Sequence, residues 1–235
     1  MLILALDSTA LVASVALCRD ETPIASFTVK NGNTHSETLL PMIESVLKTA
    51  GYTVEDIDLF ACSVGPGSFT GVRIGVSTVK GLAFGKNKPC AAVSTLEALA
   101  ENLVPASGIL CPVMNARRGQ VYNALFRYES GVLTRLCPDR ALAVTELAAE
   151  LLQKGAPFRL VGDGIGEFKR LAPEAAPEGI SALLHDQNAV SVAKCALRAY
   201  HEGNLCTDAE LKPVYLRLPQ AERERLEKLK NTEKE

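Results

Sequence analysis

Between an apolar run ending at Cys62 and a helix-like stretch beginning near Thr70, the chain reads Gly65-Pro66-Gly67-Ser68-Phe69-Thr70-Gly71-Val72-Arg73-Ile74-Gly75. Glycine tolerates positive φ and lets a phosphate or another backbone come close, so four glycines in eleven residues suggest a nucleotide cradle. The spacing argues against it. A dinucleotide turn needs G-x-G-x-x-G, and the third glycine comes one residue late, at Gly71. A Walker loop needs a glycine followed by Lys and then Ser or Thr, which this segment lacks. The glycines therefore read as packing devices. Gly65-Pro66-Gly67 would make a tight strand exit, and Ser68 or Thr70 would cap the helix. Gly71, Gly75 and Thr78 would form a stripe over which another helix can close. A glycine inside a helix costs roughly 1 kcal/mol relative to alanine, so a close contact should compensate. The helix at 36–50, of this chain or of another, is the expected neighbour.

Two further turns hold residues that could meet a nucleotide. Asp7-Ser8-Thr9 ends the first strand, where actin-like ATPases place a phosphate- or metal-facing carboxylate, yet Asp and Ser equally satisfy their own backbone in plain turns. Gly162-Asp163-Gly164-Ile165-Gly166 follows another strand and reads either as a nucleotide-binding bend or as a simple strand exit. Asp7, Ser8, Gly162, Asp163 and Gly164 are the weak cofactor-binding candidates, and no cofactor is expected. Arg117-Arg118 could hold a phosphate or carboxylate, or merely stabilise a hairpin. His35, His185 and His201 show no metal-ligand spacing, H-E-x-x-H is absent, and no Cys-His or Ser-His motif offers a nucleophile.

The bulk properties narrow the function classes. Seven cysteines, an odd number with no C-x-x-C, disfavour a disulfide framework and a zinc ribbon and read as buried thiols. A net charge of -2 and a pI near 6.0 give no basic field to draw RNA unaided. With 47% hydrophobic and 22% charged residues, the composition is that of an ordinary globular chain. No apolar run reaches the roughly eighteen residues of a membrane span, and Met1 runs directly into a strand without a basic leader. A cytoplasmic protein is expected.

The elements that would position these residues follow from periodicity. Leu2–Leu6, Val12–Leu17 and Ile24–Val29 read as three strands. A capping box, Thr34 with Glu37, opens a helix that stops at Gly51 and contains Pro41, which should bend its first turns. Strand Ile57–Cys62, helix Thr70–Phe84 and strand Ala91–Val93 follow. A second capping box, Ser94 with Glu97, starts a helix reaching about Leu103. That order is the one seen in the actin and sugar-kinase superfamily. Pro105-Ala106-Ser107-Gly108 would divide an N-terminal lobe, 1–104, from a second lobe, 105–218, whose end could pack back on the first. Strands are expected at Ile109–Met114, Val121–Tyr128, Val132–Leu136 and Arg159–Val161, with a helix capped by Thr145 ending at Gly155. An amphipathic helix should run from Asn188 to His201, and 219–235 should be a charged, solvated tail.

The eleven residues from Gly65 to Gly75 resemble the hallmark of the TsaB family, G-P-G-S-F-T-G-[VL]-R-x-G. Leu4-Ala5-Leu6-Asp7-Ser8-Thr9, His35-Ser36-Glu37-Thr38-Leu39-Leu40-Pro41, Ser94-Thr95-Leu96-Glu97-Ala98-Leu99, Ala116-Arg117-Arg118-Gly119-Gln120-Val121-Tyr122 and Pro213-Val214-Tyr215-Leu216-Arg217 extend the likeness over about 1–218. Asn115 departs from it, standing where the family usually has Asp. The resemblance implies a two-lobed actin-like α/β fold, each lobe a mixed sheet flanked by helices. It also implies a non-catalytic subunit of the complex that makes threonylcarbamoyladenosine at adenosine 37 of tRNA. The implied partners are a TsaD-type catalytic subunit and a TsaE-type ATPase, with tRNA met only through the complex and a homodimer left open. The TsaD-type paralogue carries a metal-binding H-x-x-x-H, and Thr95 and Leu99 stand at the corresponding positions, so no metal is expected. Leu39, Leu40, Ile43 and Leu47 on the first helix, with Gly71, Gly75 and Thr78 on the second, are the expected partner interface. The competing reading is a stand-alone ATP-binding phosphotransferase or glycoprotease-like enzyme.

Overall fold

The computed structural model describes residues 1–175 and 184–217; the charged tail expected at 219–235 lies outside them. Strand β1 (Leu2–Asp7) alternates its side chains between two apolar layers: Leu2, Leu4 and Leu6 enter one core, Ile3 and Ala5 the other. A strand apolar on both faces belongs inside a sheet, and β1 has β2 (Ala13–Arg19) antiparallel on one side and β4 (Leu59–Ser63) parallel on the other. With β3 (Thr22–Val29) and β5 (Cys90–Val93) outermost, the order is β3-β2-β1-β4-β5. Helices α1 (His35–Ala50) and α2 (Phe69–Ala83) cover the first of these faces. The Glu37 carboxylate closes the N-terminus of α1 by accepting from the Thr34 amide at 3.3 Å and its hydroxyl at 2.8 Å. Gly51, in the left-handed conformation, ends the helix as expected, and α1 runs on through Pro41. Ser68, rather than Thr70, caps α2 by accepting from the Gly71 amide.

The opposite face is covered by α6 (Ala189–His201), whose Ala189, Val192, Ala193 and Ala196 pack on Ile3, Ala5 and Ala61, and Asn188 caps it. Helix α3 (Thr95–Glu101) lies between this sheet and the next, with Ala98 in one core and Leu96 and Leu99 in another. Its capping box is half formed. Ser94 accepts from the Glu97 amide, but the Glu97 carboxylate is drawn away to Arg135 and Arg198.

The second sheet is built on β6 (Ile109–Arg117), longer than expected, which carries β11 (Phe158–Val161) in parallel register. The expected single strand 121–128 is two: β7 (Gln120–Asn123) and β8 (Phe126–Glu129). The break at Ala124-Leu125 occurs because side chains take over the ladder. The Asn123 side-chain Nδ2 donates to the Ala124 carbonyl, and the Leu125 backbone amide donates to the Cys137 sulfur. Strand β9 (Val132–Arg135) pairs with β8, and β10 (Arg140–Ala143), not foreseen, pairs with β7. Because β10 runs directly into α4 (Val144–Gln153), the residue before that helix is Ala143, not Thr145; Glu146 accepts from its amide. Helix α5 (Ile165–Leu171) completes the layer, with Phe168 buried beside Leu147 and Leu151 of α4. The mixed α/β architecture of two sheets flanked by helices is the one expected.

Candidate functional site

Parallel β1 and β4 end side by side, which brings Asp7-Ser8-Thr9 against the glycine-rich exit of β4. Asp7 is 1% exposed. Its Oδ1 accepts from the Thr9 amide at 2.9 Å and the Thr9 hydroxyl at 2.8 Å, and its Oδ2 accepts from the Ser63 hydroxyl at 2.5 Å. Burial pushes its pKa up, and the bonds from Ser63 and Thr9 pull against that shift. Ser8 is buried too and donates to the Gly71 carbonyl at 2.9 Å. Both candidates are thus engaged with their own chain.

The same contacts explain the glycines, and they correct the expectation. A Cβ on Gly67 would strike the Thr9 carbonyl, one on Gly71 the Ser8 carbonyl, and one on Gly75 would lie 2.6 Å from the Ser8 hydroxyl. At Gly71 and Gly75 the small-residue stripe of α2 closes chiefly on the β1–β2 turn rather than on the body of another helix, with His35 at the start of α1 also 3.3 Å from a Cβ at Gly71. Gly71 and Gly75 are buried, as are Leu39, Ile43 and Leu47, which face the chain's own core. Of the expected interface set, Leu40 (55% exposed) and the partly exposed Thr78 reach the surface.

Between α1 and α2 lies a groove of about 420 Å³, lined by Leu39, Leu40, Phe69, Arg73, Ile74 and Thr78 among others. One end is walled by a cluster the sequence did not reveal. The Arg73 guanidinium sits 4.0 Å from the Phe69 ring centroid, and Tyr215 stacks on Phe69 at 4.8 Å and accepts from Arg73 Nε at 2.8 Å. Phe69 and Arg73 are four apart on one helix, a readable signal; the return of Tyr215 from 142 residues away is not.

A larger cleft, about 660 Å³, runs between the two sheets' ends and brings together Thr9, Ser68, Asn115, Arg117, Asp163 and Arg217. Asp163 opens onto it and accepts from the Asn115 amide at 3.0 Å; the surrounding protein desolvates its carboxyl and raises the pKa. Gly162 and Gly164 pack on the Val113 carbonyl, which leaves no room for a side chain at either. Asn115 turns its carboxamide oxygen to the Arg117 amide at 2.7 Å, a local turn bond that any Asx residue can make. Arg117, Arg118 and Gly119 all hold left-handed φ in the β6–β7 turn. Arg217 reaches back to the Ala116 carbonyl at 2.7 Å.

The residues at the paralogue's metal positions do not fit a metal. Leu99 is 1% exposed within an apolar cluster with Leu96 and Leu110 and has no lone pair to offer. The Thr95 hydroxyl is buried with no hydrogen-bond partner among the described residues. Those residues contain no group of three or more His, Cys, Asp or Glu able to hold an ion. No helix among them is long and apolar enough to cross a membrane.

A family profile described as TsaD, tRNA N6-adenosine threonylcarbamoyltransferase, matches residues 30–200. The Bacillus subtilis tRNA threonylcarbamoyladenosine biosynthesis protein TsaB is 35% identical over 171 residues, 73% of this chain and 75% of its own. The Escherichia coli protein of the same name is 32% identical over 225 residues, 92% of this chain and 95% of its own. A Pseudomonas aeruginosa crystal structure, described as an uncharacterized protein with similarity to peptidase YeaZ, superimposes with a TM-score of 0.78 at 29% identity. It covers 92% of this chain and 99% of that one.

Proposed function

The chain belongs to the TsaB family, and we propose that it serves tRNA threonylcarbamoyladenosine biosynthesis as a non-catalytic subunit, docking a TsaD-type catalytic subunit through the α1–α2 face. The observation that carries this reading is the groove itself. Helix α1 commits Leu39, Ile43 and Leu47 to its own core yet leaves Leu40 open beside Ile74 and Thr78. An apolar side chain exposed on a groove wall gains by being covered. A TsaD-type chain shares the profile that spans both helices, so it is expected to present a like helix pair, and two like faces pair about a two-fold axis. A second copy of this chain is the competing occupant by the same logic. Docking would thus fall to the N-terminal lobe, residues 1–104, with 105–218 as the second lobe. Recruitment of a TsaE-type ATPase and a cytoplasmic setting complete the proposal. A net charge of -2 supports tRNA being met through the complex rather than by this subunit alone.

The alternative, a stand-alone ATP-dependent enzyme or glycoprotease, finds little support in the β1 turn. The carboxylate such chemistry would use is taken up by Thr9 and Ser63. Submicromolar ATP binding by the isolated chain would favour it.

The docking test is Leu40→Glu with calorimetric titration against a TsaD-type subunit. Losing the burial of one leucine is worth about 1.5–3 kcal/mol, so affinity should fall at least about tenfold. Circular dichroism should show an unchanged fold, because the side chain is 55% exposed. Affinity within about twofold of the parent would move the interface off this groove.

A further inference from the structure

The described chain ends in a segment that straps across the first sheet. After α6 the backbone turns back, and Cys206 forms an antiparallel bridge to Cys90 on the outer edge of β5. Each residue's amide donates to the other's carbonyl, at 2.8 Å and 2.9 Å. The segment then buries Leu211 in the α1–α2 core, where the Lys80 ammonium donates to the Ala209 and Leu211 carbonyls. The Val214 amide donates to the Val64 carbonyl at 2.7 Å, and Tyr215 finishes on Phe69 at the end of the α1–α2 groove.

We propose that Cys90 and Cys206 are a disulfide-forming pair, a redox modification site whose closure clamps this strap to the sheet edge. Residues directly opposed across an antiparallel bridge project to the same face, and both side chains enter the same core layer. A hydrogen-bonded cross-strand pair has Cα atoms about 5.5 Å apart, within the roughly 4.4–6.8 Å that disulfides span. The Cys206 thiol already points at its partner, donating to the Cys90 carbonyl at 3.4 Å. Cys206 is half-buried, and Cys90 is 0% exposed. An oxidant therefore reaches Cys206 first, and Cys90 resolves.

The oxidant class is a peroxide. The Cys206 thiolate attacks one peroxide oxygen and the O–O bond breaks, giving a sulfenic acid; the departing hydroxide takes up the proton that Cys206 released and leaves as water. The Cys90 thiolate attacks that sulfur, an S–S bond forms, and the S–O bond breaks. The hydroxide lost takes up the proton that Cys90 released. In sum, two thiols and one hydrogen peroxide give one disulfide and two waters. Burial pushes the Cys90 thiol up to about 12 and raises that of Cys206 as well, so closure should be slow at neutral pH and faster as pH rises. The geometry stands independently of the proposed function.

The test treats the full-length protein with excess hydrogen peroxide at pH 7 and pH 9 and reads intact mass, non-reducing peptide maps and hydrogen exchange. The expected result is loss of two hydrogens, a bond joining the Cys90 and Cys206 peptides, and faster formation at pH 9. Amide exchange across 204–215 should slow, and Tm should rise by roughly 5 °C or more, because the closed loop exceeds one hundred residues. Dithiothreitol should reverse these changes, and Cys206→Ser or Cys90→Ala should not show them. No loss of hydrogens, a bond between any other cysteines, or a Cys90–Cys206 bond that leaves exchange of the strap unchanged would each overturn the proposal.

Discussion

Gly75 offers a quantitative check on what the glycines of α2 do. An alanine there would place its Cβ 2.6 Å from the Ser8 hydroxyl and 3.9 Å from the Ser8 Cβ. The second distance is an ordinary contact; the first is not, so the hydroxyl must swing away and give up its 2.9 Å bond to the Gly71 carbonyl. The lost buried bond costs about 1 kcal/mol, the residual crowding about 1–3 kcal/mol, and the exchange of helical glycine for alanine returns about 1 kcal/mol. Gly75→Ala should therefore destabilise by about 1–3 kcal/mol. Ser8→Ala alone should cost about 1 kcal/mol, for the hydrogen bond. In the Ser8→Ala background nothing lies close to the new Cβ, and the alanine's helix preference should bring the double variant back to about parental stability. The coupling in this double-mutant cycle is then about 2–4 kcal/mol, far outside additivity. Urea unfolding followed by circular dichroism is the assay, since the chain has no tryptophan. Additivity within about 0.5 kcal/mol would refute the idea that α2 closes on the β1–β2 turn through this pair.

Two further outcomes follow from buried charge. Burial raises the Asp7 pKa in the folded protein above the ordinary carboxylate value, so the protonated acid is favoured: its contribution is fully present below that ordinary value and lost as pH rises through the folded pKa. Asp7→Asn keeps the shape and the Thr9 bonds without the charge. The stability of the parent relative to this variant should fall as pH rises from 4 to 8, with the variant at least as stable at pH 7; a flat difference would mean that Asp7 carries no buried-charge penalty. Glu101, its side chain 5% exposed, is held by Arg198 at 2.8 Å, with Lys194 at 3.7 Å. Arg198→Ala should cost about 2–4 kcal/mol, short of a fully orphaned charge because Lys194 remains. Arg198→Ala with Glu101→Gln should recover most of that loss in thermal unfolding, and no recovery would assign the cost to lost packing.

What could be read from the residues was what local physics decides. Thr34, Glu37 and Gly51 define both ends of α1 because caps act within a few residues. The alternation of Leu2 to Leu6 shows a strand buried on both faces, since the side-chain period of a strand is two. The structure departs from the local pattern where a distant group competes with the local one. Glu97 has the sequence of a capping box but serves Arg135 and Arg198, from 38 and 101 residues away. The run 121–128 has the composition of one strand but is broken by the Asn123 carboxamide and the Cys137 sulfur. For the interface residues, a helix read alone cannot tell its core face from its open one. Leu39 and Leu40 are adjacent and equally apolar, yet one is 1% and the other 55% exposed.

The β1 turn takes up the carboxylate that ends the first strand: Thr9 folds over Asp7 with two hydrogen bonds, and Ser63 supplies a third from β4. The glycines are the space into which Ser8 and Thr9 settle: Gly67 under Thr9, Gly71 and Gly75 under Ser8. The two features depend on each other, because side chains at those glycines would push the turn outward and reopen Asp7. The glycine-rich segment therefore holds the turn shut and seats α2 against β1. With α2 seated this close, its outer side, from Phe69 through Arg73 to Thr78, is free to face α1 across the groove proposed for the partner.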